Sequence, residues 1–170
     1  MPEDLGDFLR EHPRIRVSLE EQPSPAIIHA VAAGQVEIGV VAAERGAGTL
    51  ETQPYRRDRL ALVIPAGHVL AAREGVDFAE VVDQPFVCLH AGSAIHTFMM
   101  NAAAQLGGSL DVRIQVRSFN AICRMVAAGV GIGLVPHSAI VAVDGLKTVK
   151  IADEWAPRDL QLCVRSRAAL

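Results

Sequence analysis

Short apolar runs, each stopped by glycine, proline or a charged residue, alternate along this chain with helical stretches, and that alternation constrains the fold more than any other feature. Val36 to Ala42, Arg59 to Ile64, Phe86 to His90, Val112 to Arg117 and Gly131 to Val135 read as strands, and Lys147 to Ile151 and Leu160 to Arg165 finish the chain in the same way. Between them lie helices with recognisable ends. One starts at Ser24 as N-cap with Pro25 at the first helical position, and Gly34 closes it. A second spans about Ala94 to Leu106 and stops at Gly107-Gly108, and a third is capped by Ser118 and ends at Gly129. Asp77-Phe78-Ala79-Glu80 is a capping box that opens a short helix, and another short helix is expected near Ser138 to Val143. The opening segment from Pro2 to Glu11 is helical, with Leu5, Phe8 and Leu9 on one face, until His12-Pro13 ends it. Ile15 to Glu20 alternates apolar and polar residues, which predicts a strand with Ile15, Val17 and Leu19 inward. Gly46 to Gln53 is a loop. This β-α-β-α order predicts an α/β fold, with a parallel sheet covered by helices.

Composition agrees. Hydrophobic residues make up 51% of the chain and aromatics only 4%, so the core must come from Ala, Val, Ile and Leu, as in buried strands under helices. A net charge of -3 gives no reason for these residues to bind nucleic acid, which needs clustered Lys and Arg. Cys88, Cys123 and Cys163 are far apart in apolar runs and read as buried, reduced thiols of a cytosolic protein. No C-x-x-C pair suggests a metal site, and neither a metal nor a cofactor is expected. No apolar run is long enough for a membrane span. Glu3, Asp4 and Asp7 stand where a signal peptide would need a basic and then an apolar stretch, so the expected location is the cytoplasm. No nucleophile–base pair or close carboxylate pair has motif-like spacing, so the chain is not expected to be an enzyme.

Four segments, in order along nearly the whole chain, carry a family resemblance. Pro2-Glu3-Asp4-Leu5-Gly6-Asp7-Phe8-Leu9-Arg10-Glu11-His12-Pro13 followed by Ile15-Arg16-Val17 is one. Ile27 to Val41, with Ala33-Gly34-Gln35-Val36-Glu37-Ile38-Gly39-Val40 at its end, is the second, with Glu37 where the pattern usually has Asp. Pro65-Ala66-Gly67-His68-Val69-Leu70 is the third, and Val126-Ala127-Ala128-Gly129-Val130-Gly131-Ile132-Gly133-Leu134-Val135-Pro136 the fourth. Together they resemble the effector-binding domain of LysR-type transcriptional regulators. The resemblance implies the two-lobed type II periplasmic-binding-protein-like fold, with a ligand cleft between the lobes. It places lobe I at residues 1–58 and 159–170 and lobe II at 59–158. It also implies a small organic acid or other small-molecule effector, a homo-oligomer (a dimer here, a tetramer in the full-length protein) and DNA contact only through a winged helix-turn-helix outside these residues. Set against that family, the first strand of lobe I and a C-terminal helix are missing. A free-standing solute-binding protein and a catalytic relative of the same fold, such as a dehydratase domain, are the alternatives.

In open α/β sheets ligands sit beyond the carboxyl ends of strands, against helix starts. The strongest such signal is Leu89 to His96, where a strand ends, Gly92 permits a tight turn and Ser93 caps a helix. Gly92, Ser93, Ala94, Ile95 and His96 are therefore ligand-binding candidates, the free N–H groups of such a helix start suiting an anion. The same segment is equally a well-capped helix, and His96 an ordinary polar residue of a first turn. Phe119 and Asn120, after the strand end Arg117-Ser118, are candidates on the same logic, with packing as the alternative. Val41 and Ala42, with Ala43, would leave room for a ligand at the end of a lobe I strand. His137 reads as a surface residue and Arg56-Arg57-Asp58-Arg59 as a solvated, ion-paired hinge.

Overall fold

Residues Glu51–Pro65 form one strand of 15 residues, β2, and the rest of the molecule is arranged along it in this computed structural model, which describes residues 2–20, 22, 24–42 and 47–169. The strand changes character midway. Glu51 to Arg57 is polar and mostly exposed, whereas Leu60 to Ile64 is buried without interruption. The polar half pairs antiparallel with β8 (Pro157–Val164), in register from Glu51 opposite Val164 to Arg59 opposite Pro157. The apolar half lies antiparallel between β6 (Gly133–Pro136) and β7 (Leu146–Ile151). Pro54, which has no N–H to donate, stands where the β2–β8 register shifts between Pro54 and Arg56, a bulge that leaves Tyr55 unmatched.

The lobe around the polar half is small. β1 (Ile38–Ala42) pairs antiparallel with β8, and α2 (Ser24–Ala32) packs on β1. Its fully buried centre is Val31, Val41 and Cys163, with Ile27, Ile28, Val36 and Leu50 packed around it. Gly39 is needed there, since a Cβ would lie 2.5 Å from a methyl of Ile27 and 2.8 Å from the Cys163 sulfur.

The second lobe holds most of the core. β3 (Gly75–Val76) runs parallel to β7, and β4 (Pro85–Leu89) parallel to β5 (Asp111–Val116). β4 joins the larger sheet through a parallel bridge of Phe86 to Ile132, in which the Val87 N–H donates to the Ile132 carbonyl at 2.8 Å and the Ile132 N–H to the Pro85 carbonyl at 2.9 Å. α3 (Ala94–Gln105) buries Ile95, Met99 and Ala103, and α4 (Phe119–Ala127) buries Ile122, Cys123 and Val126. Phe78, Phe86, Leu62, Ile64, Ile132, Leu134 and Ile151 are fully buried between the helices and the sheet. Each such side chain contributes about 1.5–3 kcal/mol by leaving water.

Several expectations need correction. Ile15 to Glu20 forms no strand and belongs to no sheet among the described residues, and Ile15, Val17 and Leu19 are exposed. The alternation is there, but no strand among the described residues accepts its backbone. The strand expected to start at Arg59 begins at Glu51, because β8 supplies a partner that makes a polar segment extended. The sheet is mixed rather than parallel: every ladder made by β2 is antiparallel, since β2 crosses from one lobe into the other against the direction of its neighbours. The helix expected near Ser138 shrinks to a 3₁₀ turn at His137–Ala139, where the Asp58 carboxylate accepts from both the Ser138 hydroxyl at 2.7 Å and its N–H at 3.3 Å. Asp77 and Glu80 keep the capping logic, with the Glu80 carboxylate accepting the Asp77 N–H at 2.9 Å. Gly46, the expected start of a loop, lies outside the described residues.

The bridge between β4 and Ile132 depends on a residue with no side chain. A Cβ on Gly131 would sit 2.3 Å from the Pro85 carbonyl oxygen, a backbone atom that cannot rotate away. Gly131→Ala is expected to lower stability by about 1–3 kcal/mol, as overpacking does. Urea denaturation measures this, and an unchanged midpoint would show that the bridge is not needed.

Candidate functional site

The turn after β4 creates the first wall of a cleft. The His90 N–H donates to the Val116 carbonyl at 2.9 Å, which fixes the strand end to β5, and the Ser93 N–H donates to the His90 carbonyl at 3.1 Å. Gly92 turns the chain with φ of +97°, a conformation that a side chain would strain. Ser93 then caps α3, its hydroxyl accepting the His96 N–H at 3.2 Å. The first-turn N–H groups of Ala94 and Ile95 have no acceptor within the helix, as at every α-helix start.

Opposite lies the start of α2 in the smaller lobe. The Ser24 hydroxyl accepts the N–H of Ala42, the last residue of β1, at 3.3 Å, so helix start and strand end are joined. Ser24 thus spends its hydroxyl across to a strand, and the helix begins at Ser24 itself. The crossover segments close the back of the cleft, with Leu60 from β2 and Trp155 and Arg158 at the entry to β8. The space between these walls is about 330 Å³, at the small end of ligand pockets. Gly92, Ala94 and Ile95 line it from the α3 start, and Thr97, Phe98 and Asn101 from the next turns of that helix. Trp155 meets Phe98 edge-on at 4.8 Å and Phe78 at 5.7 Å, which ties the cleft wall to the second core.

Of the nine sequence candidates, the fold brings Ala42, Gly92, Ala94 and Ile95 to the cavity. Ser93 acts one step behind it as the cap of α3. His96 lies off the cavity with its Nε2 3.5 Å from the Gln115 amide nitrogen. Val41 is core of the smaller lobe. Phe119 packs against the second core, and the exposed Asn120 accepts from the Arg124 side chain at 2.8 Å. Ala43 lies outside the described residues.

Ser24 and Pro25 carried the same helix-start signal as Gly92-Ser93 and could have been chosen on it. Trp155 is the single tryptophan of an aromatic-poor chain. Nothing local marks Arg158, Leu60 or Asn101. In the segment read as a hinge, Arg57 pairs with Asp159 at 3.5 Å on the exposed side. Arg59 donates to the Ile151 carbonyl at 3.2 Å and keeps its buried Nε without an acceptor.

The three thiols are free and buried, away from the cavity. Burial pushes the Cys88 thiol up from 9.0 to about 11 and raises Cys163 as well, the latter partly offset by a hydrogen bond with the Gly39 backbone. The thiolate is the reactive form, so both are poor nucleophiles. A folded-state value raised above the unfolded one favours the native state fully at lower pH, and this is lost as pH rises toward the folded value. The denaturation midpoint is therefore expected to fall between about pH 9 and 11. Native protein is expected to resist iodoacetamide at pH 8, with labelling only after unfolding; rapid labelling of Cys88 in the native state would contradict the burial argument.

Comparison with known proteins places this arrangement. The family model described as "LysR substrate binding domain" matches residues 1–170. A probable RuBisCO transcriptional regulator of Emiliania huxleyi is 28% identical over 176 residues, covering 98% of this chain and 56% of that protein. The chain thus spans about half the length of the curated relatives it matches. Among solved structures, the Synechocystis PCC6803 CcmR regulatory domain in complex with 2-PG has a TM-score of 0.78 at 22% identity, covering 95% of this chain and 79% of the other. The BenM effector-binding domain with its effector benzoate has a TM-score of 0.71 at 23% identity, covering 98% and 77%. These two show a shared fold. With all 170 residues matched by the family model, the chain belongs to the LysR substrate-binding domain family.

Proposed function

We propose that this chain is the effector-sensing part of a cytoplasmic transcription regulator, and that it binds a small organic acid in the cleft between its lobes. One observation carries the reading: a 330 Å³ cavity walled by helix starts from both lobes and by both crossover segments. A ligand that touches both walls favours whichever lobe angle lets it do so, and the angle can change only where β2 and β8 cross. Two proteins with this fold, a regulatory domain in complex with 2-PG and an effector-binding domain with its effector benzoate, support the ligand class. Contact with DNA falls to a part of the regulator outside these residues, in keeping with their net charge of -3.

Self-association belongs to the same reading. Phe8 on α1 (Pro2–Glu11), Ile15, Val17 and Leu19 are large apolar side chains, all exposed. An apolar surface of this kind suits a protein partner, and a second copy would bury it reciprocally.

Two measurements test these statements. Ala94 lies at the cavity mouth in a helix, where a larger side chain fits the backbone but fills the space. Calorimetry against a set of small organic acids is expected to find a ligand whose affinity Ala94→Leu reduces at least about tenfold. Binding that is indifferent to this substitution would remove the ligand from the cleft. Sedimentation equilibrium is expected to show dimers that Phe8→Glu weakens, whereas a monomer up to about 100 µM would refute the association.

A further inference from the structure

We infer that Arg158 reads the ligand's charge, selecting a small organic anion whose apolar body rests on Trp155 and Phe98. The inference rests on the cleft being the ligand site and deepens it, by naming the residue that recognises the charge.

Arg158 is half-buried and lines the cavity, and its side chain has no hydrogen bond or ion pair to any described residue. Its position makes that lack of a partner informative. Asp58 is directly opposite it in the β2–β8 ladder. Side chains so placed leave the same face of the sheet with Cβ atoms about 5 Å apart, a natural ion-pairing distance. One step along the same ladder, Arg57 and Asp159 do pair across the strands, at 3.5 Å. Asp58 is committed elsewhere. One of its oxygens accepts the Ser138 hydroxyl at 2.7 Å, and the other accepts the Arg59 N–H at 2.8 Å and the Ser138 N–H at 3.3 Å. The carboxylate that would neutralise Arg158 is thus held by the 3₁₀ turn of the second lobe.

No other described residue of the cavity takes its place. The other described lining residues are apolar or neutral, Thr97 and Asn101 among the polar ones, and no acidic side chain is present among them. A guanidinium partly withdrawn from water and without an anion gains most from a ligand that offers two oxygens in its plane, as carboxylates and phosphate esters do. The Trp155–Phe98 pair beside it presents an apolar wall that has no use for a second charge. The recognised molecule therefore carries its charge at one end and a compact apolar body at the other. Because Arg158 belongs to β8, the ligand's charge contacts the crossover strand itself.

The test is calorimetry on the 170-residue chain with benzoate, phenyl phosphate, benzamide and inorganic phosphate. One or both aromatic anions are expected to bind, and the stronger of the two identifies carboxylate or phosphate as the head group. Benzamide, the neutral isostere of benzoate, and inorganic phosphate, which lacks the apolar body, are each expected to bind at least about tenfold more weakly. Arg158→Gln is expected to erase the preference for the anion over benzamide, and Arg158→Lys, which keeps the charge but loses the fork, to retain part of it. Arg57→Gln makes the same charge change on the exposed rim and is expected to leave binding unaltered, and melting curves establish that each variant is folded. Anion binding that survives Arg158→Gln overturns the assignment. So does binding of benzamide without the anions; if Ala94→Leu blocks that binding, the cleft stands and only the charge reading falls. Absence of binding by all four compounds up to about 10 mM would overturn both.

Discussion

The antiparallel ladder between β2 and β8 is the constraint on which the rest of the molecule depends. It spans Glu51 to Arg59 on one strand and Pro157 to Val164 on the other, and both strands leave it for the second lobe. The Leu60 N–H continues the pairing by donating to the Ala156 carbonyl at 2.7 Å. Two strands held in register by backbone hydrogen bonds resist sliding but can twist and bend, so the lobes can tilt without separating. The cleft sits where the ladder ends, and Leu60, Trp155 and Arg158 line it because the crossover passes behind it.

The lobes are unequal in what they bury. The second has a continuous core from Leu60 to Ala156, with an aromatic chain from Phe86 through Phe78 and Trp155 to Phe98 at the cleft. The first has a core cluster of Val31, Val41 and Cys163 among the described residues and leaves Ile15, Val17, Leu19 and Ile38 exposed. Stability scales with apolar surface removed from water, so the second lobe is the rigid frame and holds α3 in place. The first lobe contributes a helix start and a strand end joined by the Ser24–Ala42 hydrogen bond, and it has the smaller core to hold them.

Much of the fold was legible in the chain because it rests on local rules. Gly92-Ser93 and Ser118 announced helix starts, and both serines cap as expected, since a side-chain oxygen two or three residues from free N–H groups has few other acceptable partners. The reason for Gly131 and Gly133 was not legible there: the Pro85 carbonyl and the Ile122 methyl that leave no room for a Cβ come from distant parts of the chain. The site was half legible for the same reason. Gly92, Ala94 and Ile95 follow from one turn, whereas His96 and Asn120 have the right chemistry but point their polar atoms toward Gln115 and Arg124. Helical rotation of about 100° per residue separates a cavity-lining position from its neighbour, and no local pattern says which residue faces across the cleft.

The order of apolar runs and their glycine and proline stops determined by themselves that this chain is an α/β domain, because hydrophobic periodicity and turn chemistry act over a few residues at a time, and the four family segments pointed to the two-lobed fold of the LysR substrate-binding family. Tertiary structure alone decided that Glu51 to Arg57 is a strand, that Ile15 to Glu20 is not, and that Asp58 turns to Ser138 while Arg158, opposite it in the ladder, lines the cleft. Each of these outcomes depends on a partner distant in the chain. A polar segment becomes a strand only where another strand accepts its backbone, and a carboxylate satisfies whichever donor the fold brings nearest.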